Sequence, residues 1–120
     1  MKRLSLLSLL AALSGAAALG PAQASTPMLR GTVGPGFTIV LKKGTSKVTT
    51  LKRGTYTISI ADKSSSHNFH LFGPGLNKGI TSVLFVGTKT VTVTLKPGTY
   101  TYQCDPHVLS GMKARFRVVS

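Results

Sequence analysis

The chain contains no glutamate, and its only carboxylate side chains are Asp62 and Asp105 among 120 residues. Glycosidase chemistry needs two carboxylates flanking the bond that breaks. Hard cations such as Mg2+ and Ca2+ need clusters of oxygen ligands. Too few acids are present for either. Cysteine is equally scarce. Cys104 is the single one, so no disulfide can form within the chain. Histidine is limited to His67, His70 and His107.

Against the two acids stand 15 Lys and Arg, for a formal net charge of +13. Such an excess favours acidic partners or anionic surfaces, or serves solubility at a charged envelope. Lys2 and Arg3 open an export signal. Residues 4–19 are apolar with small polar breaks, Gly20-Pro21 ends the run, and Ala22-Gln23-Ala24 is a small-x-small cleavage site. The run is shorter than the ~20 apolar residues of a spanning helix. The reading is a cleaved secretory signal over residues 1–24 and one domain over residues 25–120. The destination is the periplasm, the exterior or the cell envelope, with no integral membrane span after cleavage. Exported domains this small often rely on disulfides. An unpaired thiol in that setting is open to oxidation unless something occupies it.

The remaining sequence reads as strands. Thr90-Val91-Thr92-Val93-Thr94-Leu95 alternates with a period of two, the pattern of a half-buried strand. Similar runs lie at residues 37–41, 47–51, 56–60, 80–86, 99–104 and 113–119, separated by Gly and Pro. Short, regularly spaced strands imply a sandwich or barrel. Leu51-Lys52-Arg53-Gly54-Thr55-Tyr56-Thr57 recurs as Leu95-Lys96-Pro97-Gly98-Thr99-Tyr100-Thr101. Each copy reads as a strand end, a glycine turn and a strand start. Tyrosines so placed anchor corners through their hydroxyls in other sandwiches. The expected fold is an all-β Greek-key β-sandwich of about 7–8 strands. No amphipathic helix is expected after Ala24.

The chemistry concentrates in Cys104-Asp105-Pro106-His107-Val108-Leu109-Ser110-Gly111-Met112. A thiolate, an imidazole and a thioether on one loop form a soft ligand set that suits copper. A second imidazole would complete a trigonal His2Cys site with a weak axial Met. Each residue also has a plainer reading. A free cysteine is often a small buried hydrophobe, and methionine is a common filler of core gaps. Cys104 and His107 could also form a nucleophilic pair, although such partners are usually distant in sequence. Pro106 stiffens the turn between the two. The run Ser110-Gly111 lets the chain turn back at Met112.

His67 or His70 can supply the second imidazole. The two are three residues apart, so on an extended strand they face opposite sides. Phe69 and Leu71 share a side with His67 and are core-type residues. His67 is therefore the inward ligand. His70 falls on the outer side with Asn68 and Phe72, unless the alternation breaks at the loop.

These residues resemble the cupredoxins, most closely the plastocyanin and pseudoazurin group. The spacing of Cys104, His107 and Met112 matches that family's Cys-x2-His-x4-Met ligand loop, and His67-Asn68 matches its upstream His-Asn. The resemblance implies one copper ion at His67, Cys104, His107 and Met112. It also implies that Asn68 braces the site, with its backbone N–H toward the cysteine sulfur. Asp105 departs from the small or hydroxylated residue that many relatives carry, and is placed to bond Asn68 or to cap the loop. The acidic patch of plant plastocyanins is absent.

The expected function is single-electron transfer by an exported type 1 copper protein, not an enzyme. The expected partner is an acidic redox protein, met by a monomer. His107 is the electron port, ringed by Phe72, Pro106, Val108 and Leu109. Copper storage or delivery is the first rival, and a structural or adhesive envelope sandwich is the second. Three histidines cannot build a trinuclear copper cluster. Nucleic acid binding is not expected without aromatic residues interleaved among the basic ones.

Overall fold

Thr and Val alternate along β8 (Gly87–Leu95), and the structure uses that alternation as the spine of one layer. In this computed structural model, which describes residues 25–120, Val91, Val93 and Leu95 face inward and Thr90, Thr92 and Thr94 face solvent. The proposed export signal at residues 1–24 lies outside the described residues. Strand β5 (Gly54–Asp62) pairs antiparallel with β8 and sends Tyr56, Ile58 and Ile60 to the same side. Strand β1 (Met28–Val33) joins β5 in parallel, and β2 (Ile39–Lys43) joins β1 antiparallel. With β3 (Ser46–Lys47) they form a five-stranded sheet in the order β3-β2-β1-β5-β8.

The second sheet runs β4-β10-β9-β6-β7. Its members are β4 (Thr50–Lys52), β6 (Phe69–Gly73), β7 (Leu76–Thr81), β9 (Gly98–Gln103) and β10 (Lys113–Val119). The inner faces of the two sheets meet over a core that includes Leu29, Leu41, Ile58, Ile60, Phe69, Leu71, Tyr100 and Tyr102, all fully buried. Phe69 stacks on Tyr102 at 5.2 Å between centroids, and Tyr100 on Phe116 at 5.5 Å. Such pairs add to the burial energy of each ring. The Tyr102 hydroxyl accepts the Leu41 amide at 3.2 Å and so ties the sheets together.

The two copies of the repeated heptapeptide are indeed corners. The Tyr56 hydroxyl donates to Lys52 O at 2.7 Å. The Tyr100 hydroxyl donates to Pro74 O at 2.7 Å and accepts Lys96 N at 2.9 Å. Gly73 must stay glycine here, because a Cβ would come within 2.4 Å of the Tyr100 ring.

Among the described residues ten strands form where about 7–8 were expected. The run at 47–51 splits: Ser46–Lys47 belongs to one sheet and Thr50–Lys52 to the other, with Val48 buried at the crossover. The run at 80–86 stops at Thr81, and residues 82–86 form a turn that leaves Leu84 83% exposed. Phe37 falls outside β2, in the loop after β1. The one helix among the described residues is the 3-10 turn Asp105–Ser110. No helix there is long and apolar enough to cross a membrane.

Candidate metal centre

Three loops converge at one end of the sandwich. Strands β6 and β9 pair antiparallel, His70 opposite Gln103 and Leu71 opposite Tyr102. That register brings the segment entering β6, with His67, beside the end of β9, where Cys104 stands. The third loop joins β1 to β2 and carries Gly36 and Phe37.

The ligand loop is closed by its own backbone. His107 N donates to Cys104 O at 3.1 Å, Met112 N to His107 O at 3.2 Å, and Cys104 N to Met112 O at 3.0 Å. Pro106 lies in the first turn of the 3-10 helix. Gly111 ends it with φ 89°, in the left-handed region that glycine adopts without penalty. Its amide bonds Val108 O at 3.0 Å. The chain thereby returns to Met112, which is fully buried, as is Cys104.

His67, Cys104 and His107 bring one donor atom each into a common cluster. The two Nδ1 atoms lie 3.0 Å apart, and Cys104 Sγ lies 3.6 Å from His67 Nδ1 and 3.4 Å from His107 Nδ1. A point equidistant from the three atoms is about 2 Å from each, the length of a metal–nitrogen bond. His67 is also in the right form. His67 Nε2 lies 2.8 Å from Gly36 O, a carbonyl that can only accept. Nε2 therefore carries the proton, and in the neutral ring Nδ1 presents a bare lone pair to the cluster. A carbonyl holding the far nitrogen of an imidazole is the usual means of orienting a metal-ligating histidine. The residues present fit a soft metal.

His70 is not among these donors, as its parity predicts. Its side chain is 24% exposed. Nδ1 lies 2.9 Å from Asp105 Oδ1, and Nε2 faces Asn77 Oδ1. Asn68 departs from the outer side expected of it, while the expected bond to Asp105 forms. It precedes β6 and is buried, because its amide turns to Asp105. Nδ2 donates to Asp105 Oδ2 at 3.0 Å, and Oδ1 accepts the Asp105 amide at 2.7 Å. The bracing seen is thus a two-bond strap between side chain and loop. Gln103 Nε2 adds a third donor to the carboxylate, at 2.9 Å. Burial pushes the Asp105 carboxyl up, but the bonds from Gln103, His70 and Asn68, with the His70 charge, outweigh it and hold it below its ordinary value. Burial likewise lowers His70, and its bonds to Asn77 and Asp105 with the Asp105 charge bring it above its ordinary value.

His67 is buried and His107 only half-buried. Phe37 covers this end: it is 61% exposed, with its ring 4.9 Å from His107 and 6.0 Å from His67. Leu109 is fully exposed on the same loop as His107. Phe72, expected beside His107, instead packs against His70 at 5.0 Å, in a surface groove of about 430 Å³ shared with Leu76, Asn77 and Gln103. Gly36 and Phe37 were not expected at the site, Phe37 reading as the start of a strand. The turn residues Gly34-Pro35-Gly36 beside a lone phenylalanine were the available hint.

The family model for copper binding proteins of the plastocyanin/azurin family matches residues 37–119. Among solved structures, auracyanin B is similar at 18% identity and a TM-score of 0.57, covering 82% of this chain and 94% of that one. The copper protein rusticyanin is similar at 22% identity and a TM-score of 0.58, covering 80% of this chain and 79% of that one. Rusticyanin from Thiobacillus ferrooxidans gives a TM-score of 0.55, again at 22% identity, with coverage of 80% and 79%. No curated protein matches the chain in sequence.

Proposed function

Because the chain belongs to the plastocyanin/azurin family of copper-binding proteins and takes one copper ion as cofactor, we propose that it is an exported type 1 carrier of single electrons. His67, Cys104 and His107 would hold the ion through two imidazoles and a thiolate, and Met112 would add a weak thioether donor. The observation that carries this is the convergence of two imidazole Nδ1 atoms and one buried sulfur around a single point. Bound copper supplies a centre that alternates between Cu(I) and Cu(II).

The chain's own residues supply the rest. The Gly36 carbonyl fixes the His67 tautomer. The backbone bonds among Cys104, His107 and Met112 hold the donors in place, so little rearrangement accompanies a change of charge. Burial of Cys104 keeps oxidants from the sulfur. The half-buried His107, flanked by Phe37 and Leu109, is the port through which the electron passes. Residues 1–24 are the leader that takes the chain out of the cytoplasm. The chain's formal charge of +13 falls by two when Lys2 and Arg3 leave with it. The large positive excess that remains steers an acidic redox protein to the port.

The test is an absorption spectrum of residues 25–120 with one equivalent of copper. An intense visible thiolate-to-Cu(II) band is expected, and Cys104→Ser should abolish it. A variant that keeps the band would mean that Cys104 is not the ligand.

A further inference from the structure

His70 is not among the clustered donors, yet its partner Asp105, and the Asn68 bonded to Asp105, are each covalently next to one of them. Asp105 follows Cys104 and Asn68 follows His67. His70 Nδ1 lies 2.9 and 3.1 Å from the two Asp105 oxygens, and Nε2 faces Asn77 Oδ1. Both nitrogens therefore look at acceptors. A neutral imidazole has one N–H and can satisfy only one of them, whereas an imidazolium satisfies both. The carboxylate that pairs with it is also the one strapped to Asn68.

We infer that His70 is a positioning residue that couples protonation to electron occupancy of the metal centre, acting through the Asp105 carboxylate and the Asn68 strap. With the imidazolium in place, the Asp105 charge is compensated. When His70 loses its proton, an uncompensated carboxylate stands beside Cys104 and favours the more positive, oxidised centre. The reduction potential therefore falls as pH rises through the pKa of His70. The reverse coupling has the same size by linkage. Each electron arriving from the partner protein raises the proton affinity of His70, and the ring takes its proton from solvent, forming one N–H bond. The path to solvent exists, since the side chain is 24% exposed.

The groups facing His70 are few. The 3-10 helix presents Asp105, β7 presents Asn77, β9 presents Gln103, and Phe72 lies on its own strand. The closest strand beyond β9 is β10, where Lys113 stands opposite Gln103. Asp105 is the one acid of this set. Its bonds to the ring, with that from Asn77, overcome the cost of burial and keep the protonated form to a higher pH than usual.

The inference rests on the carrier reading, so it is tested in two arms. In the metal-free protein, an NMR titration of the ring protons should place His70 above its ordinary 6.5. Asp105→Asn should bring it down. In the copper-loaded protein, the midpoint potential is followed over roughly pH 5 to 9, the span in which histidine titrates. The redox equilibrium constant should change several-fold across the His70 transition, by the ratio of its proton affinities in the two oxidation states. His70→Gln keeps a donor toward Asp105 but cannot titrate. It should keep the visible band and lose the inflection. A flat profile in the unmodified protein, or an inflection that survives in His70→Gln, would overturn the coupling. An ordinary His70 titration in the metal-free protein would overturn the pairing it depends on. A protein without the visible band would overturn the carrier reading, and the coupling with it. The metal-free arm would still report on the pairing.

Discussion

Truncating Asn68 to alanine probes how firmly the two ligand-bearing segments are joined. The amide is 7% exposed and makes two bonds with Asp105, at 3.0 and 2.7 Å. A neutral hydrogen bond contributes about 0.5–1.5 kcal/mol net, and one to a charged group about 1.5–3 kcal/mol. The Asp105 side chain is 46% exposed, so water screens the charged bond and its contribution sits at the low end. The expected loss is therefore about 2–3 kcal/mol. With a urea dependence of about 1–3 kcal/mol/M for a small domain, the unfolding midpoint should fall by about 1–2 M. The assay is urea unfolding of the metal-free protein, followed by circular dichroism. Asn68→Ala, Asp105→Ala and the double variant together close a thermodynamic cycle. Residues in direct contact should couple by about 1 kcal/mol or more. A loss under about 0.5 kcal/mol for Asn68→Ala, or two single losses that simply add, would refute the strap.

Three further outcomes are expected. His67→Ala should lose copper or open the site to added imidazole, while His70→Ala keeps the visible band; titration with copper under the spectrometer distinguishes them. Tyr100→Phe should destabilise more than Tyr56→Phe, because the first strands the Lys96 N–H and the Pro74 carbonyl and the second only the Lys52 carbonyl; thermal melts give the order directly. The metal-free protein should be most stable between the ordinary values of Asp105 and His70, 3.8 and 6.5. His70 is raised, so its contribution is complete below 6.5 and fades as pH climbs through its folded-state pKa. Asp105 is lowered, so its contribution is complete above 3.8 and fades as pH drops through its folded-state pKa. Melting temperature against pH, for the unmodified protein and Asp105→Asn, checks both flanks.

What was legible in the sequence was whatever is local. Cys104, His107 and Met112 share one loop, so their spacing reports their proximity. The choice of His67 over His70 used the two-residue period of a strand; His67 stands two residues before β6, and the segment entering the strand brings it to the donor cluster. The Asn68 side chain escaped that logic because alternation holds only from Phe69, where β6 begins, and the bonds to Asp105 decide its direction before that. Gly36 escaped because its contribution is a carbonyl, which every residue has. The run at 82–86 looked like a strand because β-branched and aromatic residues suit strands. Composition cannot say that Leu84 and Val86 end up exposed in a turn. The run at 47–51 shows the same limit, since alternation does not report which sheet a residue joins.

The distribution of hydrogen bonds bears on the choice between carrying electrons and delivering copper. His67 is held by Gly36, Cys104 by the Met112 and His107 backbones, and the loop as a whole by the strap to Asn68. None of these bonds involves the metal, so the donor positions are set by the protein alone. A centre that must accept two oxidation states benefits from such fixity, because neither state has to rebuild the site. A centre that must surrender its ion benefits from the reverse, a loop that opens cheaply. Opening this loop breaks the strap and the closure at Met112 together, and uncovers a fully buried sulfur. The same contacts leave the His107 side as the thinly covered approach, with Phe37 and Leu109 beside it. Electrons need only that edge, whereas an ion would need the loop to move.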